Sequence, residues 1–509
     1  MTLRIVPTPL EARVTDPVPR PGTLAAGLEA AFVPSSARDD AVARLRAPGA
    51  LAVTTGQQPG LFTGPLYTVY KALSAASLAR VLERRWGRPV VPVFWSAGDD
   101  HDYAEASHAA WIGPDGGVTT AALPPRPPEA PLTPMYQEPL GPGLEPALAL
   151  LEEGLPPSEF REATLAWLRR HYRADATVAG AYAGALAELV APLGVVVLDS
   201  AHPAVKRAAA PFLLRALEQA AELDADLDRH AEAHGVTSRT SGIVVGDGAS
   251  LVMLEAAQGR DRLVAHDGGF STRRSRERLV LDDLRRIAEA EPARLSPNVL
   301  LRPVVESALL PTVAYVAGPG ELRYLGLTPP IYNGLGVARQ LPLPRWSGLL
   351  VETRVDRVLE KFGIALEELL EPAGALEARL VRSQLPPEVT GALAGLRAAV
   401  EEYYDVLARH AVSIDPTLER PLQGARHQAL AGSQEVEKKL VQHLKKRQET
   451  ELGQIARARA LVLPGGKPQE RVLTVASFLA RHGPGLLVEL SAAVESWYAG
   501  ALEGASQPA

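Results

Sequence analysis

The chain has 509 residues, 46% of them hydrophobic and 22% charged, with a formal net charge of −6, 5% aromatic residues and no cysteine. That is enough chain for a sizeable core in two to four domains, or in one domain with large insertions. It excludes a global basic field for nucleic acid, disulfide frameworks, thiolate metal sites and any thiol nucleophile.

In chain order, residues 1–40 are rich in proline and charge and read as an arm laid on the core. Residues 1–34 hold no continuous apolar segment of the signal-peptide type. No run approaches the roughly 20 apolar residues that span a bilayer. A cytoplasmic protein without membrane or nucleic-acid partners is therefore expected. Residues 50–54 read as a short buried strand ended by Gly56, and residues 67–85 as a helix with Leu73, Ala76, Leu78 and Leu82 on one side. Residues 89–95 are a second apolar strand. This β-turn-α-β order predicts parallel pairing through a right-handed crossover.

Residues 111–145 are rich in glycine and proline and read as an irregular excursion, followed by two or three helices within 146–190. Residues 194–199 (GVVVLD) form the next core strand, 202–234 one long amphipathic helix, and 243–266 short antiparallel strands. Residues 279–291 return to helix, 312–317 form a core strand, and 337–343 the last one. From Leu349 the composition turns helical. Leu393, Leu396, Val400, Tyr403 and Leu407 keep 3/4 spacing. After a proline-containing turn at 415–421, a second helix over about 433–462 completes an antiparallel hairpin. The expected division is 1–348, a parallel-sheet α/β core interrupted by insertions at about 103–190 and 203–295, and 349–509, a helical coiled-coil domain.

Four strand-end segments carry the chemistry. The first is TTGQQPGLFTGP, residues 54–65. Its Gly56 and Gly64 permit close backbone approach. Thr55, Thr63, Gln57 and Gln58 supply neutral donors and acceptors, and Lys71 follows on the helix as a reach toward an anion. In open α/β sheets ligands sit at such junctions. The second, WSAGDDHDYAE at 95–105, crowds Asp99, Asp100, Asp102, Glu105 and His101. Such a cluster demands a neutralising ammonium, guanidinium or metal, and its acids and histidine suit proton transfer. The spacing matches no HxH or HExxH metal pattern, so no metal is assigned. The third runs from Asn298 to Arg302, whose guanidinium could clamp a carboxylate. The fourth, AGPGELRY at 317–324, offers the backbone of Gly318, Gly320 and Glu321. Asp199 and His202 are weaker candidates.

The stretches TTGQQPGLFTGPLYTVYKA, PVFWSAGDDHDYAE, LSPNVLLRPV and AYVAGPGELRY resemble the bacillithiol synthase family, the cysteine-adding ligases (BshC) of bacillithiol biosynthesis. The resemblance spans roughly residues 50–350, and the helical hairpin agrees with it. It implies a Rossmann-like core similar to nucleotidyltransferases, connecting-peptide insertions, and a C-terminal coiled coil that forms a homodimer. It implies addition of L-cysteine to the amine of glucosaminyl-malate, with ATP or ADP as cofactor and Mg²⁺ only in company with ATP. On that basis Asp99, Asp100 and Asp102 would hold an amine and His101 would take its proton. Thr55, Gln57 and Gln58 would orient the activated carbonyl, while Lys71 and Arg302 would meet the malyl carboxylates. The HxGH and KMSKS signatures of adenylating relatives are missing; residues 57–60 stand in the place of the first and hold no histidine. Two other readings stay open: a non-catalytic nucleotide-binding dimeric scaffold, and a diverged ligase related to class I aminoacyl-tRNA synthetases.

Overall fold

A computed structural model describes residues 3–505, apart from Pro9, Glu11, Pro21, Val244 and Asp247. The core strands are β1 (Leu51–Gln57), β2 (Val90–Ser96), β3 (Val196–Asp199), β4 (Thr312–Ala317) and β5 (Leu341–Pro344). They form one parallel sheet in the order β5-β4-β1-β2-β3. They are mostly buried, with Gln57, Asp199, Leu341 and Pro342 half-buried, as a sheet covered on both faces requires. The chain builds outward from β1 through β2 to β3, then returns to the other side of β1. The order therefore reverses between β1 and β4, the place where such sheets open a crevice.

Helix α1 (Leu66–Trp86) joins β1 to β2. Its buried residues extend beyond one face, because the helix Gly485–Ala505 packs on its far side. Arg80 and Arg84 both pair with Glu495 at 2.6 Å across that contact. Helix α2 (Pro203–Glu218) follows β3, α3 (Arg302–Leu309) precedes β4, and α4 (Pro319–Leu325) follows it. A five-stranded antiparallel sheet is inserted between α2 and α3; Ala249–Ala256 pairs there with Gly259–His266 and with Leu295–Pro297. The predicted strands in 243–266 are thus present from Ala249; Val244 and Asp247 lie outside the described residues.

Several boundaries differ from expectation. Gly56 does not end β1; the strand continues through it to Gln57, paired with Ser96. Glycine is needed there because a Cβ would stand 2.8 Å from the Trp95 carbonyl oxygen. The excursion after residue 111 starts as a hairpin, His108–Ile112 with Val118–Ala122. The helix expected over 202–234 is two, α2 and Ala220–Ala233, broken at Gln219; nothing at Gln219 explains the break. The last core strand starts at Leu341, not 337.

By spatial contacts, the described residues of 3–350 and 469–505 form one compact unit and 351–468 a second. Residues 469–505, helical like the segment before them, thus group with the sheet. In the second unit α5 (Pro387–Ile414) and α6 (Glu419–Arg447) form the hairpin. Helix α6 begins well before residue 433, since Asp415 caps the turn by accepting from the Thr417 N–H at 2.8 Å. A proline at residue 421 is tolerated in a first turn. Its continuation, Glu449–Val462, follows a break at Gln448. Among the described residues, no helix is long and apolar enough to cross a membrane.

Candidate active site

The carboxyl ends of all five core strands open on one cleft of about 450 Å³. Gln57 and Gln58 reach it from β1, Trp95, Asp99 and Asp100 from β2, Ser200 from β3, Gly318, Gly320 and Glu321 from β4, and Arg345 from β5. Of the residues singled out in the sequence, Gly56, Lys71, Asn298 and Arg302 line it as well. His101, Asp102, Thr55, Thr63 and Gly64 do not.

The wall between β1 and β4 is a buried charge network. The Lys71 ammonium is 3% exposed and donates to Gly56 O at 2.7 Å, Gln57 Oε1 at 2.9 Å and Glu321 Oε2 at 2.5 Å. Its three N–H groups are thereby taken, so it shapes this wall instead of reaching for an anion. Burial lowers its pKa, and Glu321 opposes that shift. Glu321 also accepts from the Tyr315 hydroxyl at 2.7 Å and the Gly318 N–H at 2.8 Å. Arg302 donates to Glu306 Oε2 at 2.8 Å and to the Tyr315 hydroxyl at 3.0 Å. The Gln57 amide links this network to Tyr67, whose hydroxyl donates to Glu105 at 3.1 Å.

Glu306 is fully buried, and burial pushes its carboxyl up to about 7 against the opposing pull of Arg302. The pKa in the folded state thus lies above the ordinary 4.5. Its favourable contribution is complete below pH 4.5 and is lost as pH rises toward 7, by about 3 kcal/mol. Glu306→Gln should flatten this fall, as read from urea unfolding at pH 5 and pH 7.5.

The acidic loop after β2 divides its charges among different tasks. Asp99 pairs closely with Lys206 of α2, an ammonium 3% exposed that also donates to Leu295 O at 3.2 Å. Asp100 accepts from the Asp102 N–H at 2.9 Å and forms no ion pair among the described residues. Asp102 caps the turn Tyr103–Ala106, accepting from the Glu105 N–H at 3.1 Å. Asp102→Ala should therefore cost about 1 kcal/mol of stability in a denaturant titration. His101 Nδ1 stands 3.4 Å from an Arg260 nitrogen; burial first, then Arg260, lowers its pKa.

The remaining expected groups support the frame. Thr55 Oγ1 donates to Val316 O at 2.8 Å, tying β1 to β4. Thr63 and Gly64, at φ 68° and 70°, form a tight turn that the Tyr172 hydroxyl clasps by accepting from Thr63 N–H at 2.7 Å and donating to Gly60 O at 3.0 Å. Asn298 Oδ1 accepts from the N–H groups of Leu300 and Leu301 at the entry to α3. Asp199 and His202 accept from Ala201 N–H at 3.0 Å and Ala204 N–H at 3.2 Å.

Sequence reasoning missed Arg260, Arg345, Arg471, Tyr67 and Ser200 on the cleft wall and Lys206 behind it. Arg345 is 2% exposed and held by both oxygens of Glu470. Among the described residues the Arg260 guanidinium has neutral partners, Ser296 Oγ at 3.0 Å and Pro297 O at 2.7 Å besides His101. Arg471 is exposed and has no ion pair among the described residues. Once Lys71–Glu321, Arg302–Glu306, Arg345–Glu470 and Lys206–Asp99 are matched, the cleft keeps, among the described residues, two carboxylates without an ion pair, Asp100 and Glu105, and two such guanidiniums, Arg260 and Arg471.

Comparison with known proteins matches residues 24–346 to the family described as bacillithiol biosynthesis BshC, N-terminal Rossmann-like domain, and residues 348–498 to its C-terminal coiled-coil domain. Proteins named "Putative cysteine ligase BshC" align over most of the chain. That of Solibacter usitatus is 30% identical over 488 residues, covering 92% of this chain and 87% of the relative. That of Symbiobacterium thermophilum is 33% identical over 480 residues, covering 87% and 82%. That of Koribacter versatilis is 35% identical over 402 residues, covering 76% and 72%.

Proposed function

Because the chain belongs to the bacillithiol biosynthesis BshC family, we propose that its cleft is the active site of a ligase that joins L-cysteine to the amine of glucosaminyl-malate. The observation that carries this reading is the balance of unpaired charge on the cleft, two carboxylates against two guanidiniums. An amine and an amino acid bring ammonium groups for Asp100 and Glu105. A malyl group and the carboxyl of cysteine bring anions for Arg260 and Arg471. A purely anionic or purely cationic substrate would leave half of these groups without a partner.

Amide formation from a free carboxylate is uphill in water, so an activating nucleotide, ATP or ADP, belongs to the proposal, with Mg²⁺ only beside ATP. The backbone at Gly320 suits its phosphates, because a Cβ there would meet only the end of Arg323, 3.9 Å away. In the second unit, Leu396 (51% exposed), Tyr403 (68%) and Leu407 (51%) leave part of the α5 stripe uncovered, which supports the proposed homodimer through the coiled coil. The reaction is proposed to take place in the cytoplasm.

The test is incubation of the purified protein with cysteine and glucosaminyl-malate, with ATP, ADP or neither, and mass spectrometry of the thiol products. A product heavier than glucosaminyl-malate by one cysteinyl residue is expected. Its absence under all three conditions overturns the reading.

A further inference from the structure

Two neutral polar groups of the cleft have no hydrogen-bond partner among the described residues. Ser200 is 3% exposed, and its Oγ is buried without a hydrogen bond. The Nε2 of Gln58 is likewise buried and unpartnered. Both residues line the cleft. Their neighbours differ: the Gln57 amide is held between Lys71 and Tyr67, and Asn298 caps α3. Folded proteins seldom leave such groups unpaired, and an orphan amide or hydroxyl at a binding wall marks a place where a ligand completes the bond.

We infer that Gln58 Nε2 and Ser200 Oγ are specificity-determining contacts that read neutral hydroxyl oxygens of the sugar-bearing substrate. This rests on the ligase reading above. Ammonium and carboxylate groups find charged partners in Asp100, Glu105, Arg260 and Arg471. Cysteine itself has no neutral oxygen once its carboxylate is counted. Of the two molecules to be joined, only the sugar-bearing one carries neutral hydroxyl oxygens, and they match a two-donor amide and a hydroxyl that both donates and accepts. Gln58 follows β1 and Ser200 follows β3, with β2 between them. Two strand spacings separate them, about 10 Å, so they meet different parts of one substrate.

The test uses the full chain with Gln58→Met or Ser200→Ala, glucosaminyl-malate, and its monodeoxy sugar analogues. For at least one analogue the wild type should lose about 100-fold or more in kcat/KM, because a buried group is then left unpaired. The matching variant should discriminate against that analogue by less than about threefold. Its Tm should stay level or rise, since an unsatisfied buried group has been removed. Retained wild-type discrimination, or a Tm lowered by several degrees, overturns the inference. If even the wild type makes no ligated thiol, the ligase reading fails, and calorimetric binding of glucosaminyl-malate decides this one. Binding at least about tenfold weaker in each variant supports it; equal binding, or none by the wild type, overturns it.

Discussion

Lys71→Met is expected to destabilise the first unit by about 3 kcal/mol, because it leaves a carboxylate that is only 17% exposed without its counter-charge. The ammonium is 3% exposed and satisfies Glu321 Oε2, Gln57 Oε1 and the carbonyl oxygen of Gly56 together. Without it, Glu321 keeps only the Tyr315 hydroxyl and the Gly318 N–H. Gly56 O loses the lysine contact on a strand where even a methyl group at Gly56 would press on Trp95. The double variant Lys71→Met with Glu321→Gln should recover part of the loss, since it replaces an ion with a neutral amide whose oxygen can accept from the Gly318 N–H while its NH2 faces the Tyr315 hydroxyl oxygen. Urea unfolding of the wild type, both single variants and the double variant completes the cycle. A loss below about 1 kcal/mol for Lys71→Met would show that the network is solvated like a surface pair.

The sheet was largely legible because each core strand is a β-branched or apolar run closed by a turn. The segment 312–317 was read at its true ends, and 67–85 fell within one residue of α1 at each end. What the sequence did not disclose is the partner of each charge. Lys206 reaches Asp99 across 107 positions, Glu470 reaches Arg345 across 125, and Arg260 reaches His101 across 159. No local periodicity encodes such pairs; they exist only once the insertion and the C-terminal segment have folded against the sheet. Two placements could have been found. Asp102 with Glu105 three positions on follows the spacing of a helix start, and Arg302 with Glu306 is an i,i+4 pair. Reading Asp102 as a cap would have narrowed the loop's free acids to Asp99, Asp100 and Glu105; only the fold shows that Lys206 takes Asp99.

Asp100→Asn is accordingly expected to lower ligation by about 10- to 100-fold in kcat/KM, the equivalent of removing one charge-assisted hydrogen bond of about 1.5–3 kcal/mol. The substitution is nearly isosteric, and its amide oxygen can still accept from the Asp102 N–H, so the turn is kept and only the charge goes. Asp99→Asn makes the informative contrast. The charge of Asp99 is already matched to Lys206, so its removal strands a buried ammonium and should appear chiefly as lost stability. His101→Ala should do less than either in its own measure, because the ring does not line the cleft and contacts Arg260 instead. Steady-state ligation at varied glucosaminyl-malate, with a Tm for each variant, separates the three. If Asp100→Asn ligates within about threefold of wild type while His101→Ala is inactive and fully folded, the amine is held and deprotonated by the histidine side of the loop, and the division of charges drawn above does not govern catalysis.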